Sequence, residues 1–152
     1  MCSGSHLRQV EGVQMIKIKA KTVVKGVVRG EALVSHVPIS FRGGVDSNTG
    51  IVVEPGHELE GQCIAGKILV FPMGKGSTTG SWQFYEIYKQ GKVPKGIINL
   101  RADGVVAVSA VITGTPMVHN LEQDPFQYIK TGDMVTINAD EGYVQIEEEA
   151  LS

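Results

Sequence analysis

Lys67-Ile68-Leu69-Val70-Phe71, then Gly74-Lys75-Gly76-Ser77-Thr78-Thr79-Gly80-Ser81, then Gly96-Ile97-Ile98-Asn99-Leu100: these three stretches decide the fold. The first is short, apolar without interruption, and bounded by Gly66 and Pro72. That is the pattern of a parallel strand covered on both faces. The third stretch reads the same way. Between them residues 81–90 read as a helix, with Trp82, Tyr85, Ile87 and Tyr88 as candidates for one shared face. Ser77, Thr78, Thr79 or Ser81 suits its N-terminal cap, and Gly91 sits where a C-terminal cap belongs. Strand, helix and strand make a βαβ unit, expected to be right-handed.

Working outward, residues 15–25 alternate apolar and basic side chains, Ile16, Ile18 and Ala20 against Lys17, Lys19 and Lys21. Period two predicts a strand with one wet face, which residues 23–28 extend. Residues 31–37 predict a second strand, ended by Pro38, and residues 41–50 are dense in turn formers. Short strands are expected at 51–53 and 116–118, one helical turn at 124–129, and a closing hairpin from 134–137 and 143–146. Residues 105–111 are apolar and fit either a helix or a strand. Glu147, Glu148 and Glu149 read as a solvated end. No repeat and no linker stands out. The expectation is a single β-rich α/β domain over residues 15–152. Residues 1–14 do not resemble the rest of the chain, and Ser3-Gly4-Ser5-His6 reads as a vector-derived or otherwise irrelevant tail.

With 152 residues the chain suits one sizeable core. Its 42% apolar and 20% charged residues and net charge of −2 argue against disorder, and they lack the basic excess of a general nucleic-acid binder. The 19 glycines are well above the usual share of about 7%, as tight turns between short strands require. No apolar run approaches the roughly 18 residues of a membrane span, and residues 1–14 carry no signal-peptide core. A cytoplasmic location is the expectation. Cys2 and Cys63 form neither a disulfide framework nor a metal site, and Cys63 reads as a small half-buried apolar residue.

The loop after Phe71 invites nucleotide-binding labels, and they fail. A Walker A loop needs Gly-Lys-Ser/Thr, whereas Lys75 stands between Gly74 and Gly76. The dinucleotide pattern needs a third glycine at Thr79, and the glycine falls one later, at Gly80. Two readings stay open: a tight βα turn whose hydroxyls only cap the helix, or a loop that binds an anion at a helix N-terminus. The surplus of Ser, Thr and Lys beyond one cap favours an anion. Arg42-Gly43-Gly44-Val45-Asp46 is the second candidate, either a solvated surface turn or a guanidinium offered to a carboxylate or phosphate. His6, His36, His57 and His119 show no metal-ligand spacing, though His119 follows a predicted strand end and is in reach of a site. No nucleophile elbow occurs.

Gly43-Gly44-Val45-Asp46, Thr49-Gly50, Gly61, Gly66-Lys67-Ile68-Leu69-Val70, Gly74-Lys75-Gly76-Ser77 with Ser81, Pro94, Ile97-Ile98 and Pro116-Met117-Val118 occur in this order. In this the chain resembles the small-subunit family of aconitase X, similar to the swivelling domain of aconitases, over about residues 15–147. The resemblance implies a swivelling β/β/α domain and a large catalytic partner subunit, in a heterodimer, that carries the iron–sulfur cluster. It implies a hydro-lyase. In archaeal members the reaction removes water from (R)-5-phosphomevalonate to give trans-anhydromevalonate 5-phosphate, in a modified mevalonate pathway to isoprenoids. A related bacterial enzyme dehydrates cis-3-hydroxy-L-proline. A non-catalytic anion-binding or assembly module is the alternative from another class. With only Cys63 in its body, this chain cannot hold a cluster alone.

The serine of the family's GKGS element is taken as the proton acceptor, and it corresponds to Ser77. Such a base needs its alkoxide stabilised, and the loop offers N–H groups, a helix start and Lys75. Arg42 and Lys75 are candidates for the substrate's carboxylate or phosphate. Gly43, Gly44, Gly76, Thr78 and Ser81 complete the expected binding loops. Where the family places an aromatic before Gly43-Gly44, this chain has Arg42.

Overall fold

A computed structural model describes residues 13–75 and 80–149. The strands are β1 (Val13–Lys19), β2 (Lys21–Val24), β3 (Val27–Val34), β4 (Ile68–Phe71), β5 (Gly96–Asn99), β6 (Met117–His119), β7 (Met134–Asn138) and β8 (Tyr143–Glu149). The helices are α1 (Gly80–Lys89), α2 (Gly104–Thr113) and the single turn α3 (Pro125–Tyr128). The strands lie in the order β1-β8-β7-β3-β4-β5-β6-β2.

The strand β3 joins two ladders. Its first half, Val27 to Glu31, pairs antiparallel with β7, and its second half, Ala32 to Val34, pairs parallel with β4. On one side lie the antiparallel β8 and β1, on the other the parallel β5 and β6 with β2 antiparallel at the edge. The first and last strands of this order, β1 and β2, are separated only by Ala20. The sheet must therefore roll so that its two ends meet.

Rolling stacks the halves face to face. Along β4 the side chains alternate: Ile68 and Val70 pack with Ile18, Val135, Ile137, Val144 and Ile146 of the antiparallel half, while Leu69 and Phe71 pack with Phe84, Ile87, Val106 and Ala110 of the helices. All four β4 side chains are fully buried. At roughly 1.5–3 kcal/mol per buried Val, Leu, Ile or Phe, this strand is a main source of stability. The result is three layers, β/β/α, with a core on each face of the parallel half. That is the swivelling architecture the resemblance implies.

The predicted βαβ unit is β4–α1–β5, and the ambiguous segment 105–111 is a helix, so a second unit, β5–α2–β6, follows it. Valine favours strands, but tertiary context wins here. Ser109 and Thr113 direct their hydroxyls to the carbonyls of Val105 and Ser109, and left-handed Gly114 closes the helix by donating to Ala110 and Val111. Two further expectations change. Residues 51–53 make only isolated bridges, Val45 with Val52 and Ile51 with Cys63. The proposed face of α1 divides: Phe84 and Ile87 are buried, while Trp82, Tyr85 and Tyr88 face solvent.

Candidate active site

Four parallel strands, β3 to β6, deliver their carboxyl ends to one edge, the usual place for ligands in such sheets. The loop after β3 runs beside the loop after β4. Ile39 and Gly74 form a parallel bridge, Ile39 N–H donates to Met73 O (3.3 Å), and Lys75 N–H donates to Ile39 O (3.1 Å). Gly44 O then accepts from the N–H of Val53 (2.8 Å) and of Glu54 (3.3 Å). Only glycine fits at position 44, because a Cβ there would lie 2.1 Å from the carbonyl oxygen of Ser40.

These contacts unite the two loops singled out in the sequence through Glu54, a residue no sequence motif marks. The Lys75 ammonium lies 2.7 Å from the Glu54 carboxylate. Lys75 thus meets any incoming anion as one half of an ion pair. Arg42 is exposed on the neighbouring turn, where Ser40 Oγ donates to its carbonyl (2.8 Å). Gln83 of α1 reaches Val45 O (3.4 Å), fixing that turn against the helix. Ser81 lies in the first turn of α1. Gly76, Ser77 and Thr78 lie outside the described residues.

The loop after β5 braces the loop after β4. Leu100 N–H and Arg101 N–H donate to Pro72 O (3.1 and 3.4 Å), and Gly74 N–H donates to Asp103 Oδ1 (3.2 Å). A Cβ at position 74 would stand 2.6 Å from Val106 Cγ2, so glycine is required where the loop passes α2. Asn99, fully buried at the end of β5, donates to Phe71 O (3.0 Å) and Ile98 O (3.4 Å); its Oδ1 has no partner among the described residues.

His119 ends β6. Its Nδ1 accepts from Ala102 N–H (2.9 Å), so in the neutral ring the proton sits on Nε2. Burial, then the charges of Lys21 and Arg101, hold its pKa below the usual histidine value. Asn120 follows with a φ of 50° and donates to Leu100 O (3.0 Å).

Among the described residues no group of three or more His, Cys, Asp or Glu could hold a metal ion. Cys63 is half-buried as expected, but it is disulfide-bonded, where the sequence suggested no disulfide. The described donor set does not fit an iron–sulfur cluster. No helix is long and apolar enough to cross a membrane among the described residues.

The profile of the aconitase X swivel domain matches residues 17–146. The chain belongs to that family. It is 50% identical over 131 residues to the phosphomevalonate dehydratase small subunit of Methanosarcina mazei, covering 86% of this chain and 91% of that one. It is 47% identical to the protein of the same name from Thermococcus onnurineus, covering 88% and 100%. The crystal structure of aconitase X from Thermococcus kodakaraensis, in its holo form, superposes with a TM-score of 0.83 at 47% identity, over 88% of this chain and 99% of that one. The aconitase X swivel fold is thereby shared in sequence and in shape.

Proposed function

We propose that this chain is the small subunit of a phosphomevalonate dehydratase, a hydro-lyase active only with a large partner subunit. The observation that carries this reading is about 50% identity over 131 residues to small subunits of that name. The geometry supports it: an open edge where glycine-rich and cationic loops converge beside the start of α1.

In the proposed reaction (R)-5-phosphomevalonate loses a proton from the carbon beside its carboxylate and hydroxide from the next carbon. A double bond forms, giving trans-anhydromevalonate 5-phosphate and water. Ser77 takes the carbon-bound proton. The positive end of α1, a helix of 10 residues, favours the serine alkoxide. Arg42 and Lys75, with the glycine backbones at positions 43, 44 and 76 and the hydroxyls of Thr78 and Ser81, bind the anionic substrate. Glu54 holds the Lys75 ammonium until the substrate anion takes it over. An iron–sulfur cluster belongs to the large subunit in this reading, since no group of described residues here fits one. The enzyme works in the cytoplasm, without nucleic acid or membrane.

The large subunit also accounts for an apolar surface. Trp82 is 72% exposed, with Tyr85 and Tyr88 along the same outer face of α1. On α2, Val108, Val111 and Ile112 face solvent, and that helix has no charged residue. Apolar faces of this kind are normally covered in an assembly.

The test is reconstitution with the large subunit and an assay of both hydroxy acids. Dehydration of (R)-5-phosphomevalonate by the pair, and by neither chain alone, is expected. Turnover of cis-3-hydroxy-L-proline instead would reassign the substrate. Tight binding of phosphorylated hydroxy acids by the isolated chain, with no turnover by the pair, would make it an anion-binding module.

A further inference from the structure

We propose that Lys21, Arg101 and His119 form the subsite that receives the phosphomonoester dianion of the substrate; this rests on the dehydratase reading above. Lys21 on β2 is the register partner of His119 on β6, so the two side chains share a face. That face is the helical one, because Met117, two residues before His119, packs in the core beneath α1 and α2. Arg101 lies in the loop that leaves the adjacent strand β5, and the next residue, Ala102, donates to the His119 ring. Three chain segments that are distant in sequence thus bring a lysine, an arginine and an imidazole to one corner.

Around His119 the charges are one-sided, although Lys21 also lines a cavity with Glu122 and Glu141. Arg29, Lys67, Lys75 and Lys89 each pair with a carboxylate, whereas Lys21 and Arg101 make no ion pair among the described residues. The charges acting on His119 are these two cations, with no carboxylate set against them. The nearest carboxylate in the same loop, Asp103, is turned to the Gly74 N–H. With Nδ1 held as an acceptor, neutral His119 presents Nε2–H as a donor. Two cations and one N–H donor suit a tetrahedral dianion better than a single carboxylate.

Position matches the substrate. The corner is at the ends of β5 and β6, and the serine loop leaves β4, two strands from β6. Two strand spacings are roughly 10 Å, within the span of an extended five-carbon phosphoester and an arginine side chain. The carboxylate and the reacting carbons would sit at the β3–β4 side and the phosphate at the β6 side.

The test uses the assembled two-subunit enzyme. In Arg101→Ala and Lys21→Ala the KM for (R)-5-phosphomevalonate should rise tenfold or more, with kcat changing far less, and the double variant should exceed either. Mevalonate, which lacks the phosphate, should be handled alike by wild type and variants, so the preference for the phosphorylated substrate collapses. Arg101→Lys should recover part of it. Both residues are exposed, so thermal stability should hold. An unchanged KM in the double variant overturns the proposal. Calorimetry of the complex with inorganic phosphate separates the two readings: binding that Arg101→Ala abolishes keeps the oxyanion site even where phosphomevalonate is not dehydrated. Equal binding by wild type and variant, or none by either, overturns it.

Discussion

Two loops leave neighbouring strands of the same sheet and lead into helices of 10 residues each, yet they are built differently. The loop after β4 is rich in glycine and hydroxyls and is tied down by others. Its Pro72 carbonyl receives two N–H groups and its Gly74 N–H goes to Asp103. The loop after β5 does the tying. Arg101, Ala102 and Asp103 bond in turn to Pro72, to His119 and to Gly74. Asp103 occupies the N-cap position of α2, but its side chain makes no cap hydrogen bond. A cap contributes typically about 1 kcal/mol. The helix does without it while the carboxylate holds the adjacent loop. In the proposed reading one loop is presented for chemistry, and its neighbour is a brace that also carries the cationic Arg101.

The sharpest test of this division is Ser77→Ala in the reconstituted enzyme. A general base contributes roughly 10²–10⁴-fold, so kcat should fall by that factor while the complex assembles normally. Full turnover by an assembled Ser77→Ala complex would remove the chemistry from the first loop. Next in size is Gly74→Ala. Its Cβ would collide with Val106, and overpacking of this kind costs about 1–3 kcal/mol. Denaturant unfolding should register that loss, and turnover should fall with it. Unaltered stability would mean that α2 yields and the brace is soft. Smaller again is Glu54→Gln. Exposed ion pairs contribute roughly 0–1 kcal/mol, so stability should barely move, whereas the KM for the substrate should fall as Lys75 is released to the anion. A raised KM would show that Glu54 positions Lys75 and does not compete for it.

Much of this fold is legible in the sequence. Uninterrupted apolar runs mark β4 and β5 because both faces of those strands are covered. Alternation marks the β7–β8 hairpin because its outer face is wet. The segment 105–111 is not legible, since a helix with no charged residue has no polar stripe to set its period. Trp82 misleads for the opposite reason: large aromatics suggest a core, but here Phe84 and Ile87 fill it and the aromatic stripe is outside. In the site, the glycine and serine pattern is visible from local spacing. Glu54, Asn99, Arg101 and Asp103 are not, because their roles depend on which strand ends lie side by side. Strand order is a long-range property that no local pattern contains.

The smallest effect probes the brace through His119. Its folded pKa is depressed by burial and by Lys21 and Arg101, while an unfolded histidine titrates near 6.5. Between the folded value and about 6.5 the unfolded chain binds more protons, so stability rises with pH across that window. The contribution is complete above about 6.5 and is lost as pH falls toward the folded value. Denaturant unfolding at pH 7.5 and 5.5 should therefore show a smaller acid loss in His119→Asn than in wild type. The His119 ring resonances give the finer reading. Removing a nearby positive charge makes protonation easier, so the ring pKa should move up in Arg101→Ala and in Lys21→Ala, and further in the double variant. A ring that titrates identically in all four proteins would mean that neither cation faces it, and the loop after β5 would be a brace alone.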